Sequence, residues 1–130
     1  MEDLELASFA LHLLGGLVLK HFIADYMLQT AWMIKGKGNF LSSGGYLHAG
    51  IHAVGTIIVF ALFSLPVALF ATLVAVEFVI HYLIDFTKTN SGDQISSAEN
   101  PRVFWMIHGF DQLLHHLTYI ALAILIVHNL

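Results

Sequence analysis

Four apolar stretches separated by short polar joins fill this chain of 130 residues, and they constrain its fold more than any single motif does. A helix needs about 20 mostly apolar residues to cross the hydrocarbon of a bilayer, so the chain holds four such helices and no separate soluble domain. Composition agrees with that reading. Hydrophobic residues make up 58%, charged residues 11%, and the mean hydropathy is +0.78, outside the usual balance of a soluble domain. The expected fold class is all-α: an integral membrane bundle of four transmembrane helices, one domain over 1–130, with helices at about 6–34, 46–63, 66–87 and 103–128.

The joins support these limits. KGKGNFLSSGG is too rich in glycine and serine to continue a helix in lipid, Pro66 suits the start of the third helix, and KTNSGDQISSAENPR is the one long polar segment. The start, MEDLELAS, has acids where a cleavable signal has a basic region, so a retained first helix is expected. Lys35 and Lys37 lie in the first join, Lys88 and Arg102 flank the third, and the opposite side has no Lys or Arg. The positive-inside rule then puts both of these joins in the cytoplasm and both termini outside.

Each apolar stretch carries a polar stripe. VEFVIHYLIDFTK puts Glu77, His81, Asp85 and Lys88 within one arc of about 80°, at about 100° per residue. HFIAD places His21 and Asp25 four apart, with Gln29 one turn on; HAGIH does the same with His48 and His52; DQLLHH supplies Asp111, Gln112, His115 and His116, with His108 one turn earlier. Spacing of four brings two side chains to one helix face, where both can reach one ion. At about 1.5 Å per residue, all four stripes fall in the bilayer half nearest the basic joins. A purely structural account must explain why every helix tolerates buried ionisable groups at about 2.5 to 3.5 kcal/mol per charge.

Other polar residues have plainer readings. His12 and His128 are near the outer ends and are expected at the interface; Lys35 and Lys88 either snorkel to headgroups or bind anions. Lys20, about 100° off the stripe of His21, either pairs with Glu77 or lines the site wall.

The chain has no cysteine, which excludes disulfides and thiolate ligands. A divalent metal held by imidazole and carboxylate is therefore expected, zinc first, with iron or manganese also suited to such ligands. The ligand candidates are His21, Asp25, His48, His52, His81, Asp85, Asp111, His115 and His116, enough for two ions or for one ion with orienting carboxylates around it. A bound ion lowers the pKa of its water toward about 7, with Glu77 or Asp111 as candidate general base. Lys35, Lys37, Lys88 and Arg102, with Gln29 and Gln112, are the candidates for holding a substrate headgroup.

The set made by His21, Asp25, Leu28 and Gln29, then Lys35, His48 and His52, then His81, Asp85 and Lys88, then Asp111, Gln112 and His115 resembles the signature of a bacterial family catalogued as a domain of unknown function. Its members are small membrane proteins, which implies the bacterial inner membrane as location but no activity. A looser resemblance in architecture, to inner-membrane metal-dependent hydrolases, implies hydrolysis of an amphiphilic or lipid-linked substrate. HAGIH and QLLHH also resemble two histidine boxes of membrane di-iron desaturases and hydroxylases, although the HxxHH box of those enzymes is missing. Haem ligated by facing histidines, a proton or metal-ion pathway, and a non-catalytic membrane subunit are further alternatives. The expected partners are the lipid bilayer and a second copy of the chain or a larger membrane complex, with Gly15, Gly16, Gly50 and Gly55 allowing close helix approach; no nucleic acid is expected.

Overall fold

The computed structural model describes residues 3–91, 96 and 98–129. Residues 92–95 and 97 of the long polar segment, and the ends of the expected 1–130 domain, lie outside the described residues. All regular structure among the described residues is helical: α1 (Asp3–Phe22), a π-helical segment (Ile23–Leu28), α2 (Ala31–Gly36), α3 (Ser43–Ala61), α4 (Val67–Ser91) and α5 (Pro101–His128). Four spans are long and apolar enough to cross a membrane: Asp3–Leu28, Ser43–Ala61, Val67–Ser91 and Pro101–His128.

The first expected helix, 6–34, is not continuous. It widens into the π-helical segment, then breaks where Gln29 and Thr30 adopt extended backbone, and resumes as α2. Polar side chains stabilise the break: the Gln29 amide donates to the Asp25 carbonyl at 3.0 Å, and the Thr30 hydroxyl accepts from Met33 N at 3.4 Å as the cap of α2. α3 starts at Ser43 rather than 46, because the Ser42 hydroxyl accepts from Gly44 N at 3.3 Å. It ends at Ala61 rather than 63, in a tightened turn where Leu62 N donates to Val59 O and Phe63 N to Phe60 O. α4 begins just after Pro66 and runs to Ser91, four residues past the expected 87, with the Asn90 amide bonded to the carbonyls of Phe86 and Gly38. α5 starts at Pro101, capped by Asn100 Oδ1, which accepts from Val103 N at 3.2 Å.

α1 packs against α3 and α5, and α4 packs against the same two, while the diagonal pairs have no close backbone approach and meet only through side chains on the axis. The helices thus form a ring with each polar stripe turned to its axis. At the end with the termini and the α3–α4 turn the axis is filled by apolar side chains, among them Leu13, Leu17, Phe60, Leu73, Leu122 and Ile126. At the other end it is filled by histidines, carboxylates and lysines. Large apolar side chains such as Leu11, Ile58, Val79 and Leu117 cover the outside, as suits a bundle solvated by lipid.

Candidate metal centre

All four spans contribute to one buried cluster. α1 gives His21 and the π-helical segment Asp25; α3 gives His48 and His52; α4 gives His81 and Asp85; α5 gives Asp111 and His115. The five imidazoles are fully or almost fully buried and lie tilted against one another, with ring centroids 3.7 Å apart for His52 and His81, 4.2 Å for His81 and His115, and 5.0 Å for His21 and His115. π-helical turns are rare and concentrate at functional sites; here the turn carries Asp25 to the axis.

Asp25 is the hub of one half. Its Oδ1 lies 3.1 Å from His52 Nε2 and 3.2 Å from His48 Nε2, and its Oδ2 lies 3.2 Å from His21 Nε2 and accepts from Gln112 Nε2 at 3.1 Å. Asp85 and Asp111 form the other half around His115. Each gives one carboxylate oxygen to a lysine, Asp85 to Lys37 and Asp111 to Lys88, both at 3.0 Å. Each turns the other oxygen toward His115 Nε2, at 3.7 and 3.5 Å.

These separations are compatible with metal ligands. Bonds of about 2.0 to 2.2 Å at tetrahedral angles put neighbouring ligand atoms about 3.4 Å apart. The nitrogen-to-carboxylate distances here run from 3.1 to 3.7 Å. Neither ring nitrogen of His48 or His81 is aligned for a hydrogen bond among the described residues, although each ring has a nitrogen beside a carboxylate. Buried polar atoms without aligned partners require an explanation, and lone pairs converging on an ion supply one. Three sets hold ligand atoms within 4.8 Å of one another: Asp25 with His48, His52 and His81; His21 with His81 and His115; and Asp85 with Asp111 and His115. Charge points the same way. Three aspartates face two lysines, so with neutral histidines the cluster carries one uncompensated negative charge.

Haem does not fit this arrangement. The rings contact one another directly and the carboxylates fill the space between them, which leaves no slot for a macrocycle.

A cavity of about 240 Å³ reaches the cluster from the basic end, lined by Asp25, Gln29, Lys37, Lys88, Asp111 and Gln112 among others. Asp111, one of the two expected general bases, therefore touches the cavity. Glu77, the other, does not line it: its Oε1 is 2.8 Å from Lys20 Nζ, its Oε2 accepts from the Thr56 hydroxyl at 3.3 Å, and it is 3.9 Å from His81 Nδ1. The structure thus pairs Lys20 with Glu77, and Lys20 Nζ also donates to the His52 carbonyl at 3.2 Å.

The remaining expected site residues divide. Gln112 is central, since its amide oxygen faces His21 Nε2 at 3.1 Å while its nitrogen donates to Asp25 and Asp111. His116 is half-buried with its ring 5.5 Å from that of His21, and it belongs to none of the three ligand sets. Gln29 reaches the cavity wall. Lys35 and Arg102 are exposed and line no part of the cavity, whereas Lys37 turns inward. His12 and His128 are exposed and bond to carbonyls of their own helices.

Two supporting residues are absent from the expected set. The Tyr119 hydroxyl is 2.8 Å from His21 Nδ1 and fixes the orientation of that ring; Thr56 holds Glu77. Both continue a spacing of four already present, Thr56 after His52 and Tyr119 after His115, and that was the available signal.

The model of the family described as "Protein of unknown function (DUF3307)" matches residues 13–130. No curated protein and no solved structure matches the chain.

Proposed function

We propose that this chain, which belongs to the DUF3307 family, is a metal-dependent hydrolase of an amphiphilic, lipid-linked substrate, with its centre in the cytoplasmic half of the bacterial inner membrane. The observation that carries the reading is the convergence, from four helices, of five buried imidazoles and three carboxylates at ligand spacing beside a cavity.

The two halves of the cluster suit different tasks. Asp25, His48, His52 and His81 make a set of four, the ligand count of a structural ion, while Asp85, Asp111 and His115 make a set of three, the count that leaves a position open for chemistry; the cavity reaches the first set at Asp25 and the second at Asp111. A zinc ion held by the second set would supply Lewis acidity and a water of lowered pKa. Asp111, a member of that set, would hold the ion and its water at the cavity, and the water's proton would pass to the leaving-group oxygen as the ester or phosphoester bond breaks. Lys88 and Gln112 fix the Asp111 carboxylate through Oδ2, at 3.0 and 3.2 Å. Glu77 is not placed to move a proton, since Lys20 and Thr56 occupy its oxygens.

A transmembrane ion conduit is the less favoured reading. Beyond Lys20 and Glu77 the axis is closed by Leu13, Leu17, Phe60 and their neighbours, which give a hydrated ion no polar wall.

The test is metal analysis of the detergent-purified protein, with absorption spectra, repeated for His81→Ala and Asp85→Ala. The expected result is colourless protein with zinc in stoichiometric amount, a lower metal content in both variants, and parallel loss of hydrolysis across a panel of lipid esters and phosphoesters. Iron with oxygen consumption would replace the hydrolase by an oxygenase. Metal-free wild-type protein would sink the reading.

A further inference from the structure

We infer that the substrate is an anionic phospholipid whose phosphate enters the 240 Å³ cavity between Lys37 and Lys88 and whose acyl chain lies in the groove between α4 and α5. This rests on the proposed metal centre and names its substrate class.

Geometry supplies the first argument. Besides the polar cavity, the bundle has an open groove of about 830 Å³ on its lipid-facing side, walled by Leu83, Ile84, Met106, Phe110, Leu113 and Leu114. Groove and cavity share Lys88, Ile107 and Asp111. A charged head and an apolar chain of one molecule can therefore occupy the two together, at the junction where Asp111 sits. The polar part is smaller than the usual 300 to 1,000 Å³ of a ligand pocket, which suits a compact phosphate head better than a sugar.

Charge supplies the second. With neutral histidines, Asp25, Asp85 and Asp111 against Lys37 and Lys88 leave one formal negative charge, which one divalent ion converts to one positive charge and two ions to three. The loaded cavity then attracts an anion and has no carboxylate in excess to bind a cationic headgroup. Lys37 and Lys88 each reach the cavity while held by a carboxylate, so both ammonium groups are positioned before the ligand arrives.

Gly109 makes the chain-binding part testable by itself. It lies in the groove wall, and a Cβ added there meets nothing within 4 Å, so Gly109→Leu adds an apolar side chain at the groove wall from an open position. Purified protein is titrated with dioleoyl phosphatidic acid, with dioleoyl phosphatidylcholine and with inorganic phosphate, and its metal content is measured alongside. Phosphatidic acid is expected to bind at least roughly tenfold tighter than phosphatidylcholine, and Lys88→Gln to lose roughly tenfold of that affinity. Gly109→Leu is expected to weaken the lipid by a similar factor while leaving inorganic phosphate and bound metal unchanged. Equal affinity for the two lipids overturns the inference, as does a Gly109→Leu protein that binds phosphatidic acid as well as the wild type. Inorganic phosphate binding as tightly as the lipid would identify a free anion as the ligand and also overturn it. If these failures occur with metal still bound, the centre stands without this substrate; if the wild type binds no metal, the centre itself fails.

Discussion

Lys20 and Glu77 close the base of the polar chamber, and burying both charges there is costly. Both are buried among helices, the ammonium lies 4.7 Å from the centre of the Tyr119 ring, and the carboxylate accepts from Thr56 as well. Removing one partner of such a pair leaves an unpaired buried charge and typically costs about 3–5 kcal/mol, whereas replacing both by apolar residues of similar volume is often neutral. Lys20→Met and Glu77→Met are therefore each expected to unfold at markedly lower denaturant or temperature in detergent, while the double variant recovers most of the loss. A double variant as unstable as the worse single one would show that the stability comes from something other than the pair. The same layer illustrates what single residues reveal before folding. The spacing of four from His81 to Glu77 is visible in the sequence, and so is that from His115 to Tyr119. The choice of Lys20 as the partner of Glu77 depends on how α1 is rotated against α4, and no pattern within one helix contains that angle.

The element that departs most from sequence expectation is the connection between the first two spans. A run of glycines and serines reads as a flexible join, yet Gly36, Gly44 and Gly45 are where α2 and the start of α3 cross in close contact. A Cβ on Gly44 would lie 2.9 Å from the Trp32 carbonyl oxygen, and one on Gly36 would lie 2.9 Å from Gly44 Cα. The glycines serve the approach of two backbones, and the crossing tucks Lys37 over Asp85 while Lys35 points outward. Gly44→Ala is expected to push α2 away at a cost of about 1–3 kcal/mol and to loosen the Lys37–Asp85 pair. Thermal unfolding and the protection of Lys37 from amine-reactive labelling measure the two effects. Unchanged stability together with unchanged labelling would mean that the crossing is not tight. The four spans were legible because a membrane demands length and apolarity, and the histidine and aspartate stripes because spacing of four survives folding. The break at Gln29, the π-helical turn and the inward lysine were not, since each depends on contacts between segments.

At the scale of the whole molecule the bundle is divided along its axis, apolar toward the termini and polar toward the joins that carry Lys35, Lys37, Lys88 and Arg102. That division ties the proposed function to orientation: the cavity opens at the basic end, so the leaflet that would supply the proposed substrate is the one this end faces. Cytoplasmic loops concentrate Lys and Arg, and no basic residue except Lys20 lies away from the joins. The chain has no cysteine, so single cysteines report without background. Asp3 and Leu62 mark one end of the ring and Leu41, 95% exposed, marks the other. In intact bacterial cells, Asp3→Cys and Leu62→Cys are expected to react with a membrane-impermeant maleimide, and Leu41→Cys only after permeabilisation. The opposite pattern would invert the bundle and make the outer leaflet the source of the proposed substrate, leaving the proposed metal centre untouched. Asp3 and Leu62 reacting on different sides would break the four-span ring itself, and with it the meeting of His21, His48, His81 and His115 on one axis.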